Sequence, residues 1–488
     1  MDVIQDERVR QTLERLKSLA QKSIQVGNEE KALAAISAAT NLLYQYNQIY
    51  TDQDLEDMLL EIGRKSMTIQ KMQKNLMVTE KNVVFFYDGF GLDIRGWALA
   101  YMRAFVKLDY EVYYITSSQA IATQPEIDRV IAGSNVTKLT IDFQNGYVNC
   151  YQQLAALFAE KKPRVAFFYT YPHDVSAAVV FDMLNGLVRR YQIDLTDHAY
   201  WLGIHAADFC LESRSVGASI AVYHRGFTKE QIRVLDGCAI VRDDDSFQGF
   251  PFDLTNKKMI FSGGALYKTL GDKNNTFYHM INHILQHHDD TIFYYLGCGD
   301  QSELERLKQK YPEQVFFEQE RKDFFEVMKR CTLYLNTYPM FGGLMMRYAA
   351  MAEKLPITLK HEHDADGILF HQDELGIEYD DETSLLNDVD RLLNDEGYRR
   401  AREKKMIGAT ILEPDFRRNL KTLIDNNITE YHLEIKPVDT EKFRSEYLKR
   451  FDYDRVVRDS IITKANRSLW ADFPVLFVKK VVGRVFQG

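Results

Sequence analysis

Residues 331–357 read CTLYLNTYPMFGGLMMRYAAMAEKLPI. An apolar strand runs into a turn, Pro339-Met340-Phe341-Gly342-Gly343, and the turn opens a helix from Leu344 to Lys354. Leu355-Pro356 then feeds the next strand, Ile357 to Leu359. Two glycines carry no Cβ to hold a ligand away, and the helix behind them presents free N–H groups and the positive end of its dipole. The helix is apolar almost throughout, as expected between a sheet and a second layer. The pattern predicts a backbone anion site at the carboxyl edge of a parallel sheet; a tight turn that binds nothing is the plain alternative.

The same alternation continues upstream. Lys258 to Phe261 reads as a strand ending in Ser262-Gly263-Gly264, and a helix follows from about Asn275 to His288. Thr291 to Leu296 is a second strand, ending in Gly297-Cys298-Gly299-Asp300. Val315 to Phe317, the stretch FEQERKDFFEVMKR and Leu333 to Leu335 repeat strand, helix, strand. Three glycine-bearing strand ends therefore converge on one crevice of an α/β fold.

Taken together, the segments FSGGALYKTLGDKN, FYYLGCGD, VFFEQERKDFFEVMKRCTLYLNTYP, GGLMMRYAAMAEKLPI and ELGIEYDDETSLLNDVDRLLNDEGYRRAREKK resemble the donor-binding domain of GT-B glycosyltransferases, particularly the retaining family 4 and its relatives. The resemblance spans roughly residues 80 to 430 and implies two Rossmann-like doubly wound parallel-sheet domains facing a cleft. It also implies a nucleotide-diphosphate sugar as substrate rather than any resident cofactor. Donor binding falls to Gly263, Gly264, Lys268, Lys273, Gly297, Gln319, Tyr338, Phe341, Gly342, Gly343 and Leu344. Two Glu residues usual in the family, seven positions apart around the glycine turn, are missing here: the turn reads Pro339-Met340-Phe341 and the second position is Ala349. The family's Arg in the first turn is Gly264, leaving Lys268 or Lys273 to supply positive charge as a mobile ammonium rather than a bidentate fork.

The amino-terminal half reads in parallel. Val83 to Tyr87 is a continuous apolar strand, followed by the loop DGFGLDIRG (88–96) and a helix from Trp97 to Val106. Gly89 and Gly91 open like a dinucleotide fingerprint, but the third glycine arrives two residues late. Asp88, Gly89, Gly91 and Arg225 are assigned to the acceptor side, with a flexible connection as the alternative for the loop. Arg164 to Thr170 is a strand ending in Tyr171-Pro172-His173-Asp174, Tyr200 to Ile204 is read as a strand ending at His205, and Ala218 to Tyr223 as one ending at His224-Arg225. A His at such a strand end meets the sugar in the resembling family, and His173 is the first match. Neutral imidazole both donates and accepts, so His173 and His205 suit sugar recognition or satisfy backbone groups. Asp197-His198 is expected to pack or cap.

Two chemistries stay open. A retaining enzyme of this kind needs no protein nucleophile, because the leaving diphosphate takes the acceptor proton while helix dipole and lysines stabilise its charge. An inverting enzyme needs a base, for which Asp88, Asp93, His173 and His205 compete. The catalytic set is His173, Asp93 and His205, and the resemblance favours retention without a metal. Asp243-Asp244-Asp245 reads as a solvated loop after a strand at Ala239 to Val241, and His361-Glu362-His363-Asp364 as a loop near the sugar rather than a zinc site. The expected activity is sugar transfer from a nucleotide-diphosphate donor to a glycan or lipid-linked glycan in bacterial surface polysaccharide or glycoconjugate synthesis. The rival is a catalytically silent subunit that binds glycan or a partner glycosyltransferase.

At 488 residues the chain is long enough for several domains. The sequence divides into a helical module (1–78), an acceptor domain (79–250), a donor domain (251–435) and crossing helices with a basic-aromatic tail (436–488). Five scattered cysteines read as reduced core residues of a cytoplasmic protein. The net charge of −9 disfavours nucleic acid. Residues 1–20 carry Asp2, Asp6, Glu7 and Glu14 and no apolar run, so neither a secretory leader nor a membrane span is expected. The module holds amphipathic helices at VRQTLERLKSLAQKSIQ, EEKALAAISAATNLLYQYNQIY and DLEDMLLEIGRK. The first two look like one tetratricopeptide-type hairpin, expected to dock on the body or to serve self-association or a protein partner. The tail, 464–488, interleaves Lys464, Arg467, Lys479, Lys480 and Arg484 with Leu469, Trp470, Phe473, Leu476, Phe477 and Phe486, which suits a peripheral membrane contact at the inner face. A helix crossing back to the first domain would instead bury the same residues.

Overall fold

The computed structural model describes residues 4–94, 96–117, 123–235, 237–241, 246–360 and 368–485, with side chains up to 480. Two compact units emerge, one of residues 1–236 with 416–488 and one of 237–415.

In the first unit seven parallel strands lie in the order β3-β2-β1-β4-β5-β6-β7. These are β1 Glu80–Asp88, β2 Glu111–Ser117, β3 Val136–Ile141, β4 Pro163–Tyr169, β5 Arg189–Ile193, β6 Phe209–Glu212 and β7 Ile232–Val234. Val83 to Asp88 of β1 are buried, the continuous burial that a parallel strand covered on both faces requires. In register, Asp88 sits level with Thr116 of β2 and Tyr169 of β4. In the second unit six parallel strands run β10-β9-β8-β11-β12-β13. They are β8 Lys258–Gly263, β9 Thr291–Leu296, β10 Val315–Glu318, β11 Leu333–Leu335, β12 Pro356–Leu359 and β13 Glu378–Tyr379. Each sheet reverses its strand order once, between β1 and β4 and between β8 and β11. Connections on either side of such a point lie on opposite faces, which opens a crevice at the strands' carboxyl ends.

The helical segment before β1 is docked on the first unit. Helices Glu7–Gln25, Glu29–Tyr46, Gln53–Lys65 and Met67–Asn75 share one continuous core with the sheet and with residues 456–473. The first two form the expected hairpin, with Gly27 at φ +74 making the turn. Ala32, Ala34, Ala35, Ala38 and Ala39 are fully buried in that core. Glu30 accepts the N–H groups of Tyr147 (3.0 Å) and Val148 (2.9 Å), capping helix Tyr147–Lys161 in place of a side chain from Gly146. The small-residue face is thus spent inside the unit.

Several sequence expectations change. The segment 218–223 belongs to helix Ser215–Tyr223, not to a strand. A short run that is apolar all round reads alike for a buried strand and a buried helix, and the strand of this region is β6. Residues 200–203 are irregular and lead into a 3-10 turn at Ile204–Ala206, where Gly203 adopts φ +102. Ala239–Val241 forms no strand; Ala239 instead joins the second unit's core. The chain returns to the first unit at Phe416 rather than beyond 435. Phe416 packs edge-on against Tyr101 at 5.1 Å, and Asp425 accepts from Tyr110 Oη at 2.7 Å. In the tail, Leu469 and Phe473 are buried, Trp470 stacks near Phe477 at 4.9 Å, and Lys480 Nζ donates to Ile462 O at 2.6 Å. The tail up to that point is therefore docked rather than free, leaving Val475 and Val478 exposed. Among the described residues no helix is long and apolar enough to cross a membrane. Arg95 of the first loop, Asp243-Asp244-Asp245, His361-Glu362-His363-Asp364, Phe486 and the side chain of Arg484 lie outside the described residues.

Candidate functional site: a strand-end anion crevice

The second unit's switch point brings together the ends of β8 and β11. Gly264 N–H donates to Leu296 O (2.9 Å) and Leu266 N–H to Cys298 O (2.8 Å), so the turns after β8 and β9 are laced by backbone. That lacing explains Gly297: a Cβ there would lie 1.9 Å from Gly264 O, a backbone atom that cannot yield. Gly264 takes φ +129 with open space beside it, a conformation side chains resist. Lys268 sits in the following 3-10 turn, and its carbonyl accepts Met340 N–H at 3.0 Å. Its ammonium reaches Phe341 O at 3.4 Å, which carries a positive charge to the start of helix Gly343–Met351.

That helix start corrects part of the sequence reading. Gly342 N–H is already taken, donating to Asn336 Oδ1 at 3.1 Å. Asn336 is buried and locked by Thr358 Oγ1 at 3.2 Å, and a Cβ on Gly342 would collide with it at 2.8 Å. The glycine here makes room for protein, not for ligand. The first-turn amides of Gly343, Leu344 and Met345 have no side-chain cap among the described residues, and Gly343 and Leu344 reach solvent. Met345 Cε lies 3.4 Å from where a Cβ of Gly263 would be, so the helix start adjoins the end of β8. Phe341 and Tyr338 are half-buried against the core, and Gln319 and Lys273 are exposed at their strand-end loops.

In the first unit the assigned residues are spent unevenly. Asp88 is buried and accepts from Gly91 N–H (2.9 Å) and Tyr114 Oη (2.6 Å); burial pushes its pKa up to about 6 against those bonds. It shapes the loop, with Gly91 at φ +62. Gly89 is required because a Cβ would lie 2.6 Å from Thr170 Oγ1 and 2.9 Å from Asp174 Oδ2. Asp93 accepts the N–H groups of Glu126 and Ile127 (3.2 and 3.0 Å), one on each carboxylate oxygen, capping helix Pro125–Ile131. The ring of His173 is enclosed although the residue keeps some exposed surface, and its Nδ1 has no partner. Burial lowers its pKa to about 4, so the imidazole is neutral at pH 7. His205 is exposed, with Nε2 3.3 Å from Gln53 Nε2.

Arg225 is no acceptor-side residue. It is fully buried, 3.4 Å from Asp194 Oδ2, donates to Asp197 O at 2.8 Å, and lies 4.9 Å over the Trp201 ring. Asp194, Cys210 and Glu212 form the group of possible metal ligands found among the described residues, with ligand atoms within 4.8 Å. Arg225 already answers their charge. Burial pushes Asp194 up to about 6 despite Arg225, and burial with the neighbouring Asp194 and Asp197 pushes Glu212 well above the carboxylate range. Burial also opposes ionisation of Asp197, but Arg214, at 2.5 Å, overrides it and holds that carboxyl low.

Glu56, a residue with no motif to single it out, meets the turn that starts at Gly203. Glu56 is fully buried and its Oε1 accepts Gly203 N–H at 2.9 Å. Burial raises its pKa from 4.5 to about 7. The folded state therefore holds this proton more tightly than the unfolded chain. The associated stability is complete below about pH 4.5, declines as pH rises through 7 and stays lost above it, roughly 3 kcal/mol in all. Glu56→Gln keeps the acceptor and removes the titration. Thermal unfolding of both proteins at pH 5 and pH 8 is expected to show the variant gaining on the parent at pH 8; an equal difference at both pH values contradicts the assignment.

No family model matches the chain, and no curated protein matches it. Among solved structures, the chain is similar to a protein assigned as a UDP-N-acetylglucosamine 2-epimerase from Listeria monocytogenes, with a TM-score of 0.53 and 11% identity over 74% of this chain and 100% of that one. It is equally similar to a glycosyltransferase from Rickettsia africae, with a TM-score of 0.53 and 12% identity over 71% and 100%. At such identity the likeness speaks to fold alone. With seven- and six-stranded parallel sheets each reversing order once, the chain has the GT-B glycosyltransferase-like fold.

Proposed function

We propose that the chain is a glycosyltransferase whose second unit holds a nucleotide-diphosphate sugar, with the diphosphate on the amides of Gly343, Leu344 and Met345 beside Lys268. The observation that carries this is the uncapped first turn of helix Gly343–Met351, set at a switch point with an ammonium directed at it. Open N-terminal amides and a positive dipole end favour a doubly charged group there. Retention is favoured on the family resemblance; Asp93 caps a helix and Asp88 anchors a loop, which leaves His173 and His205 as the bases an inverting reaction would use. Neutral His173 suits a hydrogen bond to a sugar hydroxyl. No step requires a metal. Transfer to a glycan or lipid-linked glycan at the cytoplasmic membrane face belongs to the same proposal, supported by exposed Val475 and Val478 next to Lys479.

The absence of the resembling family's two Glu residues, one from the turn Pro339-Met340-Phe341 and the other from position Ala349, favours a second reading, a silent subunit that binds but does not turn over. Thermal shift and donor hydrolysis across UDP, GDP, TDP and CMP sugars separate the two. One nucleotide class is expected both to stabilise the protein and to be hydrolysed. Stabilisation without hydrolysis selects the silent subunit, and no shift with any nucleotide removes both.

A further inference from the structure

Helix Thr276–His287 carries His279, His283 and His287 at intervals of four, one above another on its outer face. His283 and His287 are in contact, with ring centroids 4.2 Å apart and planes inclined by 32°. His287 Nδ1 lies 2.8 Å from the carbonyl oxygen of His283. A carbonyl only accepts, so Nδ1 carries the hydrogen and Nε2 is left with its lone pair. This is the arrangement that orients a metal-binding imidazole: one nitrogen tied to backbone, the other presented outward. The ring nitrogens of His283 have no hydrogen-bond partner among the described residues, His283 is half-buried and His287 is exposed. The nearby ammonium of Lys310 is turned onto Asn282 Oδ1 at 2.7 Å. His279 differs, since its Nδ1 faces Glu382 Oε1 at 2.6 Å. It cannot share an ion with His287, because eight residues of helix separate them by about 12 Å.

We propose that His283 and His287 form a two-imidazole chelate for a divalent transition metal such as Zn²⁺ or Cu²⁺, with water completing the coordination. Two nitrogens at about 2.0–2.1 Å from one ion fit side chains one helical turn apart. His283 and His287 lie about 10 and 16 Å along the helix from its first residue, Thr276, so the site is separate from the glycine turns assigned to donor binding.

The test is calorimetric titration of Zn²⁺ into the full chain, with Cu²⁺ spectra reading equatorial nitrogens. Saturable binding is expected, weakened about tenfold or more by His283→Ala and by His287→Ala and unchanged by His279→Ala, while UDP-induced stabilisation is the same in all. Absence of saturable binding below about 1 mM, or equal binding by the His283→Ala/His287→Ala double variant, overturns the proposal.

Discussion

Gly343→Asp is expected to abolish nucleoside diphosphate binding and leave the chain folded. The new Cβ would meet Ile368 Cδ1 at 3.0 Å, the far end of a side chain that can turn aside. A carboxylate in the first turn of a helix is favourable to the helix itself. The same carboxylate takes the amides intended for diphosphate and repels it, at about 4 kcal/mol per pair of unit charges at 4 Å under an effective dielectric of 20. Affinity should fall about a hundredfold to a thousandfold, roughly 3–4 kcal/mol, with the unfolding temperature little changed. Unaltered affinity in a folded variant contradicts the placement.

Arg225→Met is expected to act on stability instead. The guanidinium is enclosed by Asp194, the carbonyls of Asp197 and Ala199, and the ring of Trp201. Removing one partner of a buried pair leaves the other charge uncompensated, at a cost of about 3–5 kcal/mol. The transition of the first unit should drop by about 10 °C while nucleotide affinity in the second unit is retained. A stable variant with altered acceptor kinetics would restore Arg225 to the acceptor side.

The strands were legible wherever burial is continuous. Val83–Tyr87, Thr291–Leu296 and Leu333–Leu335 are apolar runs closed by glycine or turn residues, and the structure has strands there. The run 218–223 misled because helix Ser215–Tyr223 buries Gly217 to Ala221 consecutively and carries no charged residue to reveal its period. Site residues were less legible because their roles depend on distant partners. Gly342 signalled an open amide, yet Asn336, six residues earlier, fills it. An Asn placed directly after a buried strand and before a turn was the available clue. Glu56 offered none: a helical glutamate looks solvated until the 3-10 turn at Gly203 is folded against it. The tail's aromatic and basic residues suited a membrane in sequence, but Arg15, whose guanidinium lies 4.3 Å over Phe473, and the shared core show where much of that surface goes.

The central claim is that the first-turn amides of helix Gly343–Met351 hold a diphosphate. A crystal structure of the full chain with a nucleoside diphosphate tests it most directly. The account predicts phosphate oxygens within about 3 Å of the N–H groups of Gly343, Leu344 or Met345, with Lys268 turned toward them. A nucleotide bound elsewhere, or those amides closed by protein atoms in its presence, would contradict it.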